Sequence, residues 1–380
     1  MLAAIGAGIW WGFRVRQGRA GEPTPGMTPK NRSVAGARSP EHAAGSAATE
    51  SAVAARQTAT AAGNLLRCLA PGIDARQPGK SRTELAGLHA QLRKLPRSEA
   101  ARQLLAFLSS GTDAGTGLAL EVGPGGWLIT APTLRVAALD WLGEFDPVAA
   151  AEAARQILAS SDSADEWALA LRNYYRQNQP PDAYFVARVG EEFSRENWLR
   201  SPSAGLAESL DFPVAIGGSE GFNVLQGLLQ RSPAMRWAAL AAMDAWVLEQ
   251  RATAIPLLTG SATGALDDAS RATLLSRADI RDDAQRQAIV SYLTSGGVPD
   301  TAKAEFLRQF PNQNMIVGNR LVTAIRPMTL QESAQLDAAA LQFVDGLIQA
   351  GTHPELTKDL IASRERLAGF VASARRGGFL

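Results

Sequence analysis

The sequence predicts a mostly α-helical protein, an irregular α–α superhelix with one small β-hairpin insertion. Three observations lead there. From Asn64 onward, apolar residues recur mostly at helical spacing. A pair of short amphipathic helices at 133–158 cannot bury its stripe alone, which implies stacking on similar neighbours. That stripe then returns 101 residues later and again 50 residues beyond. The expected organisation is a short apolar anchor or truncated signal segment at 1–19, an Ala/Gly/Ser/Pro linker at 20–62 and a helical repeat-like domain at 63–380.

Met1 to Phe13 is uncharged and apolar, and Arg14, Arg16 and Arg19 follow at once. Crossing a bilayer takes about 20 apolar residues, so this run is too short. The basic start and cleavage site of a signal peptide are not evident. The favoured reading is the remainder of a signal-anchor, tethering the folded part on the periplasmic or extracytoplasmic side of a membrane. The flanking arginines by themselves would hold it in the cytoplasm, so that orientation stays open. Shallow insertion with Trp10 and Trp11 at the headgroups and a plain apolar start to a soluble protein are the alternatives.

Between Met27 and Leu65 there is almost no large apolar side chain, so burial cannot offset the ordering entropy and a flexible linker is expected, with His42 solvated. Residues 1–62 carry +4 and the remainder −3. A near-neutral folded part excludes nucleic acid as the main partner, because phosphate binding needs clustered positive charge. Cys68 is the single cysteine, which rules out an intramolecular disulfide and a cysteine metal cluster. It reads as a small buried side chain.

Leu85, Leu88, Leu92 and Leu95 make the first helical stripe; Ala101, Leu104, Leu105 and Leu108 make the second. In the 133–158 pair, Leu134, Ala138, Trp141, Leu142 and Phe145 form one face. Asp146 is placed to cap the next helix, with Pro147 at its first position where a missing N–H costs nothing. Ala150, Ala154, Ile157 and Leu158 form its stripe. Met235, Ala239, Ala242, Met243 and Trp246 match the first of these faces position for position, and Arg286-Gln-Ala-Ile-Val-Ser-Tyr-Leu is a weaker third copy.

Residues 133–158, with Leu-Arg-x-Ala-Ala-Leu-x-x-Leu-Gly, then Asp-Pro, then an Ala-rich helix, resemble a HEAT-like repeat. The resemblance covers those 26 residues; the copies at 236 and 286 lack the Asp-Pro turn. It implies a curved α-solenoid whose concave face binds proteins or peptides. No catalytic residue is carried over, because the shared motif is structural.

Two stretches interrupt the helices. Gly117–Thr130 reads as a β-hairpin turning at Gly123–Gly126 and capping a helical layer, with Trp127 at its tip or flank. Residues 201–221 read as a loop. Within and after it, Phe212-Pro-Val-Ala-Ile-Gly-Gly-Ser219-Glu-Gly221 has the Gly-x-Ser-x-Gly order of a nucleophile elbow, and His353 follows in the Ser-before-His order of such hydrolases. An exported serine hydrolase using Ser219 and His353 is therefore the alternative function. Against it, no strand–helix alternation precedes the motif and Pro213 is awkward in a central strand. Ser219 reads better as a helix N-cap, and Thr352 with Glu355 as a capping box around His353.

No metal or other cofactor is expected: His89 and His353 are the histidines outside the linker, and no ligand spacing exists. His89 reads as a core-edge residue. The acidic clusters near Asp162, Asp267 and Asp282 sit where they favour helix dipoles. Trp141, Trp167, Trp237, Trp246, Tyr174 and Tyr175 read as packing residues. Trp127 and Trp198, near loops, are the candidates for an exposed binding contact. The resulting expectation is a membrane-tethered helical scaffold that binds another protein or a peptide, with no catalytic constellation evident; an architectural envelope protein without a discrete site is a further alternative.

Overall fold

The computed structural model describes residues 66–67, 70–260, 264, 266–314 and 318–380. The apolar start, the linker with His42, and Cys68 lie outside the described residues. The described chain is mostly helical, with one small antiparallel pair of strands.

Helices α1 (Pro78–Leu92) and α2 (Arg97–Leu108) bury Leu85, Leu88 and Leu92 of the first stripe and Ala101, Leu104 and Leu108 of the second; Leu95, beyond the end of α1, and Leu105 are half-buried. The hairpin follows: β1 (Glu121–Val122), a tight turn at Pro124–Gly126 and β2 (Leu128–Thr130), paired Glu121 to Thr130 and Val122 to Leu128. Gly126 has φ 73°, and a Cβ there would lie 2.2 Å from the Leu321 carbonyl oxygen. A side chain is thus excluded both by the left-handed backbone and by the chain pressed against it.

Helices α3 (Leu134–Phe145) and α4 (Pro147–Ser160) form the repeat-like pair. Asp146 caps α4 by accepting the Ala149 N–H at 3.0 Å. The pair packs on α5 (Ala164–Gln177), whose Trp167 and Tyr174 are buried. Then come α6 (Ala183–Glu192), α7 (Glu196–Arg200), α8 (Ala204–Glu208) and α9 (Asp211–Ile216). The expected loop at 201–221 is therefore corrected to short helices. Phe212, Val214 and Leu206 are buried, and that tertiary burial overrides a local Gly/Pro-rich pattern.

Helices α10 (Gly218–Arg231), α11 (Arg236–Glu249), α12 (Arg251–Thr259), α13 (Asp268–Leu275), α14 (Asp283–Thr294) and α15 (Asp300–Gln309) continue the series. Contacts join α9 to α11, α10 to α12, α11 to α13, α12 to α14 and α13 to α15, as well as several sequence neighbours. Both long stripes are buried: Leu134, Ala138 and Leu142 in α3, and Ala239, Met243 and Trp246 in α11, are each fully buried. Burying one such large apolar side chain contributes roughly 1.5–3 kcal/mol.

After α15 the chain runs as an extended strap through 318–328, then forms α16 (Leu330–Ala350) and α17 (Thr357–Arg376), which pack on each other. The strap travels back over earlier helices. Asn319 donates to the Val122 carbonyl at 3.2 Å, Arg176 donates to the Leu321 carbonyl at 3.2 Å, and Asp211 accepts the N–H groups of Val322 and Thr323 at 2.7 and 2.9 Å. No described helix is long and apolar enough to cross a membrane.

Candidate functional site

The hairpin is held by a buried polar knot. Arg172 of α5 is fully buried and ion-pairs with Asp140 of α3. The same guanidinium donates to the Gly126 carbonyl at 2.8 Å and to Asn173 Oδ1 at 2.9 Å. Asp140 in turn accepts the Leu128 N–H at 3.2 Å, and Asn173 donates to the Leu139 carbonyl at 2.9 Å. Burial lowers the Arg172 pKa even though the Asp140 carboxylate opposes the shift. Arg176 is lowered to about 10, by burial first and by the adjoining Arg172 charge second.

Trp127 closes this knot. Its ring centroid lies 4.2 Å from the Arg176 guanidinium and 4.9 Å from that of Arg172, and the residue is half-buried. The expectation of an outward contact is corrected: its π-face is taken by two cations of the same chain. Trp198 is corrected too. It is buried against Trp167, ring centroids 5.5 Å apart, and its indole N–H donates to the Asp162 carbonyl at 3.2 Å. The reverse holds for Trp237, expected in the interior but 81% exposed on the first turn of α11.

Above the knot, α1, the hairpin and α3 enclose an open groove of about 180 Å³. Leu85, Leu118, Leu128 and Trp141 line it, and Ile129 stands on its rim with 55% of its surface exposed. Along one wall His89 stacks on Trp141, planes 5° apart and centroids separated by 5.2 Å, and approaches Glu144 with Nε2 2.8 Å from Oε2. Arg93 donates to the other Glu144 oxygen at 2.9 Å. Burial pushes the Glu144 pKa up, but the bonds from Arg93 and His89 outweigh it and hold the carboxyl below its usual value. At the mouth, Arg82 is exposed and has no hydrogen bond or ion pair among the described residues.

The elbow residues lack the arrangement that a hydrolase needs. The apolar run before Ser219 is helix α9, not a strand; Pro213 sits in its first turn, where a missing N–H is harmless. Gly217, with φ 72°, is the N-cap of α10, so Ser219 is the second helical residue and is exposed. The Ser219 N-cap expectation fails because the Gln250 side chain accepts the Gly218 N–H at 2.8 Å. The Gly217 backbone, at φ 72° and ψ −165°, is one that a residue with a Cβ rarely adopts, which explains the glycine. His353 lies in a short turn packed on α15 and α17, whereas α10 packs on α9, α11 and α12.

His353 itself is buried, with Nδ1 3.4 Å from Glu355 and Nε2 without a partner. It is the N-cap of the turn Pro354–Leu356, so the Thr352/Glu355 box is corrected. The box that does form is Thr329 with Glu332 at the start of α16: Thr329 Oγ1 accepts the Glu332 N–H at 3.1 Å and Glu332 accepts the Thr329 N–H at 2.7 Å.

A second polar cluster anchors the strap. Asp211 bonds Val322 and Thr323 and sits 3.5 Å from Arg320. Burial, with the Asp211 charge adding and Arg320 opposing, pushes Glu208 up to about 7. Among the described residues no group of three or more His, Cys, Asp or Glu could hold a metal ion.

Sequence reasoning overlooked the groove and the knot beneath it. The available signal was Asp140 between Leu139 and Trp141, and Arg172 following Leu171: one charge of each sign set into helix faces that are otherwise apolar. A charge in such a place demands a buried partner. No protein-family model matches this chain, and neither a curated protein nor a solved structure matches it.

Proposed function

We propose that the chain is a membrane-tethered helical scaffold that binds an extended peptide, seating one apolar side chain in the groove between α1, the hairpin and α3. The observation that carries this reading is the groove itself: an apolar floor containing Trp141, an exposed Ile129 on the rim and an unpaired Arg82 at the mouth. Arg82 favours a peptide with a carboxylate beside the apolar side chain, since an exposed guanidinium attracts and orients an acidic partner. The buried Arg172–Asp140 knot supports it by making the hairpin wall rigid, so little ordering is lost on binding.

The stacking of alternate helices from α9 to α15 supports an α–α superhelix of HEAT-like character. Tethering through residues 1–19, with the scaffold on the extracytoplasmic side, rests on the apolar start and the linker of 20–62. In this reading the protein acts by surface recognition and has no reaction centre.

The test uses the full chain and fluorescent peptides that carry Leu or Phe beside Asp or Glu, with matched peptides lacking the acid. Acidic peptides should bind, and Ile129→Asp or Arg82→Glu should weaken them at least about tenfold without changing the helical circular dichroism. Equal binding by acidic and neutral peptides, or variants that bind like the parent, would remove the groove as the site.

A further inference from the structure

A second cavity, of about 200 Å³, lies between the α11–α12 junction and the strap, away from the hairpin. Leu248, Ile325 and Met328 give it an apolar wall; Arg251, Gln313 and Arg326 are its polar lining, with the Gln313 amide already donating to Asp337 at 2.8 Å and to the Ser333 carbonyl at 3.3 Å. Arg251 is unusual among the arginines of this interior. Its Nη2 meets only the Met328 sulfur at 3.9 Å, a weak acceptor, and its Nε is buried with no partner.

The contrast with neighbouring guanidiniums decides what is missing. Arg277 holds both oxygens of Asp244 at 2.7 Å, and Arg281 holds those of Asp279 at 2.8 and 2.6 Å. Asp279 and Asp244, the carboxylates whose charge acts on Arg251, are therefore already bonded to other guanidiniums. Arg326 is paired with Glu332. Glu249, which also lines the cavity, makes no hydrogen bond or ion pair with Arg251. A half-buried guanidinium without an oxygen acceptor is costly, and a planar two-oxygen anion matches its fork.

We infer that this cavity binds a carboxylate carried on a short apolar chain, with both oxygens on Arg251 and the chain against Ile325, Leu248 and Met328. The size of the cavity limits the occupant to a small organic acid or a single acidic side chain of a partner peptide. These share the same chemistry. The inference does not depend on the hairpin groove.

The experiment follows the Arg251 Nε–Hε resonance of the full-length protein, assigned by its loss in Arg251→Lys, during titration with butyrate, inorganic phosphate and a short peptide bearing one glutamate. Butyrate or the peptide should shift that resonance saturably and raise the melting temperature. Arg251→Gln should abolish both effects, and Ile325→Trp, which fills the cavity without touching the arginine, should weaken both at least about tenfold. Peptide binding much tighter than butyrate identifies a protein partner as the source of the carboxylate; the reverse identifies a free acid. Failure of every carboxylate to move the resonance, response to phosphate alone, or binding that survives Arg251→Gln would overturn the inference. The Ile129 and Arg82 variants should retain the effect, which separates this site from the groove.

Discussion

Glu192 gathers in one side chain the cost of burying charge. It is fully buried; Oε1 accepts the Ser209 hydroxyl at 2.8 Å, and Oε2 has no partner. Burial drives its pKa from 4.5 to about 8, against the smaller pulls of Ser209 and Arg195. The folded protein thus holds a proton that the unfolded chain releases above pH 4.5. With the folded pKa raised, stability is fully present below the unfolded value and declines as pH climbs from there to about 8, by on the order of 3 kcal/mol at pH 7. Glu208, raised to about 7, adds to the same slope. Urea denaturation of Glu192→Gln at pH 5 and pH 8 should show a stability gap much smaller than the parent's. An unchanged gap would mean that the carboxyl is not protonated in the folded state. Nothing in Val189-Gly-Glu-Glu192 announces this. Two adjacent glutamates near a helix end read as a wet face, and only the arrival of Ser209 seventeen positions later turns one of them inward. Trp198 and Trp237 exchanged their expected places for the same reason: local spacing identifies a helical aromatic but not the neighbour that covers it.

At the scale of elements, the capping groups separate what was legible from what was not. Asp146 ends α3 and caps α4 from a single position, and it was readable because cap, proline and stripe are contiguous. Replacing it with Ala should cost about 1 kcal/mol in chemical denaturation, since the Ala149 N–H loses its acceptor. At the start of α10 the sequence pointed to Ser219, while the acceptor comes from Gln250, 32 residues away. The two assignments differ measurably. Gln250→Ala should destabilise by about 1 kcal/mol because the Gly218 N–H is left without its side-chain partner. Ser219→Ala, on an exposed surface, should stay within about 0.5 kcal/mol of the parent. Equal losses at both positions would restore the serine as a capping residue. The hairpin was legible through its glycines and alternation, yet its rigidity was not, because the arginines that hold its turn lie on α5.

Across the whole molecule, helical class followed from periodicity, but the strap did not. Residues 318–328 have no repeating pattern, and their partners lie 111 to 197 positions earlier, on α9 and the hairpin. An array in which each unit touches only its neighbours comes apart piecemeal. Here the strap stitches the hairpin, α5 and α9 to the segment that leads into α16, so these distant parts should open together. Asp211 is the strongest stitch, accepting from Val322, Thr323 and the Thr323 hydroxyl. Asp211→Ala therefore removes the acceptors of two strap N–H groups and loosens the backbone whose Leu321 carbonyl receives Arg176. Hydrogen exchange followed peptide by peptide should quicken over 318–328 and, through Arg176 and Asn319, over 117–130, while 283–309 keeps its protection. Exchange that quickens in the strap alone would show that the hairpin is held by Arg172 and Asp140 without it, and that the chain behaves as a simple stack.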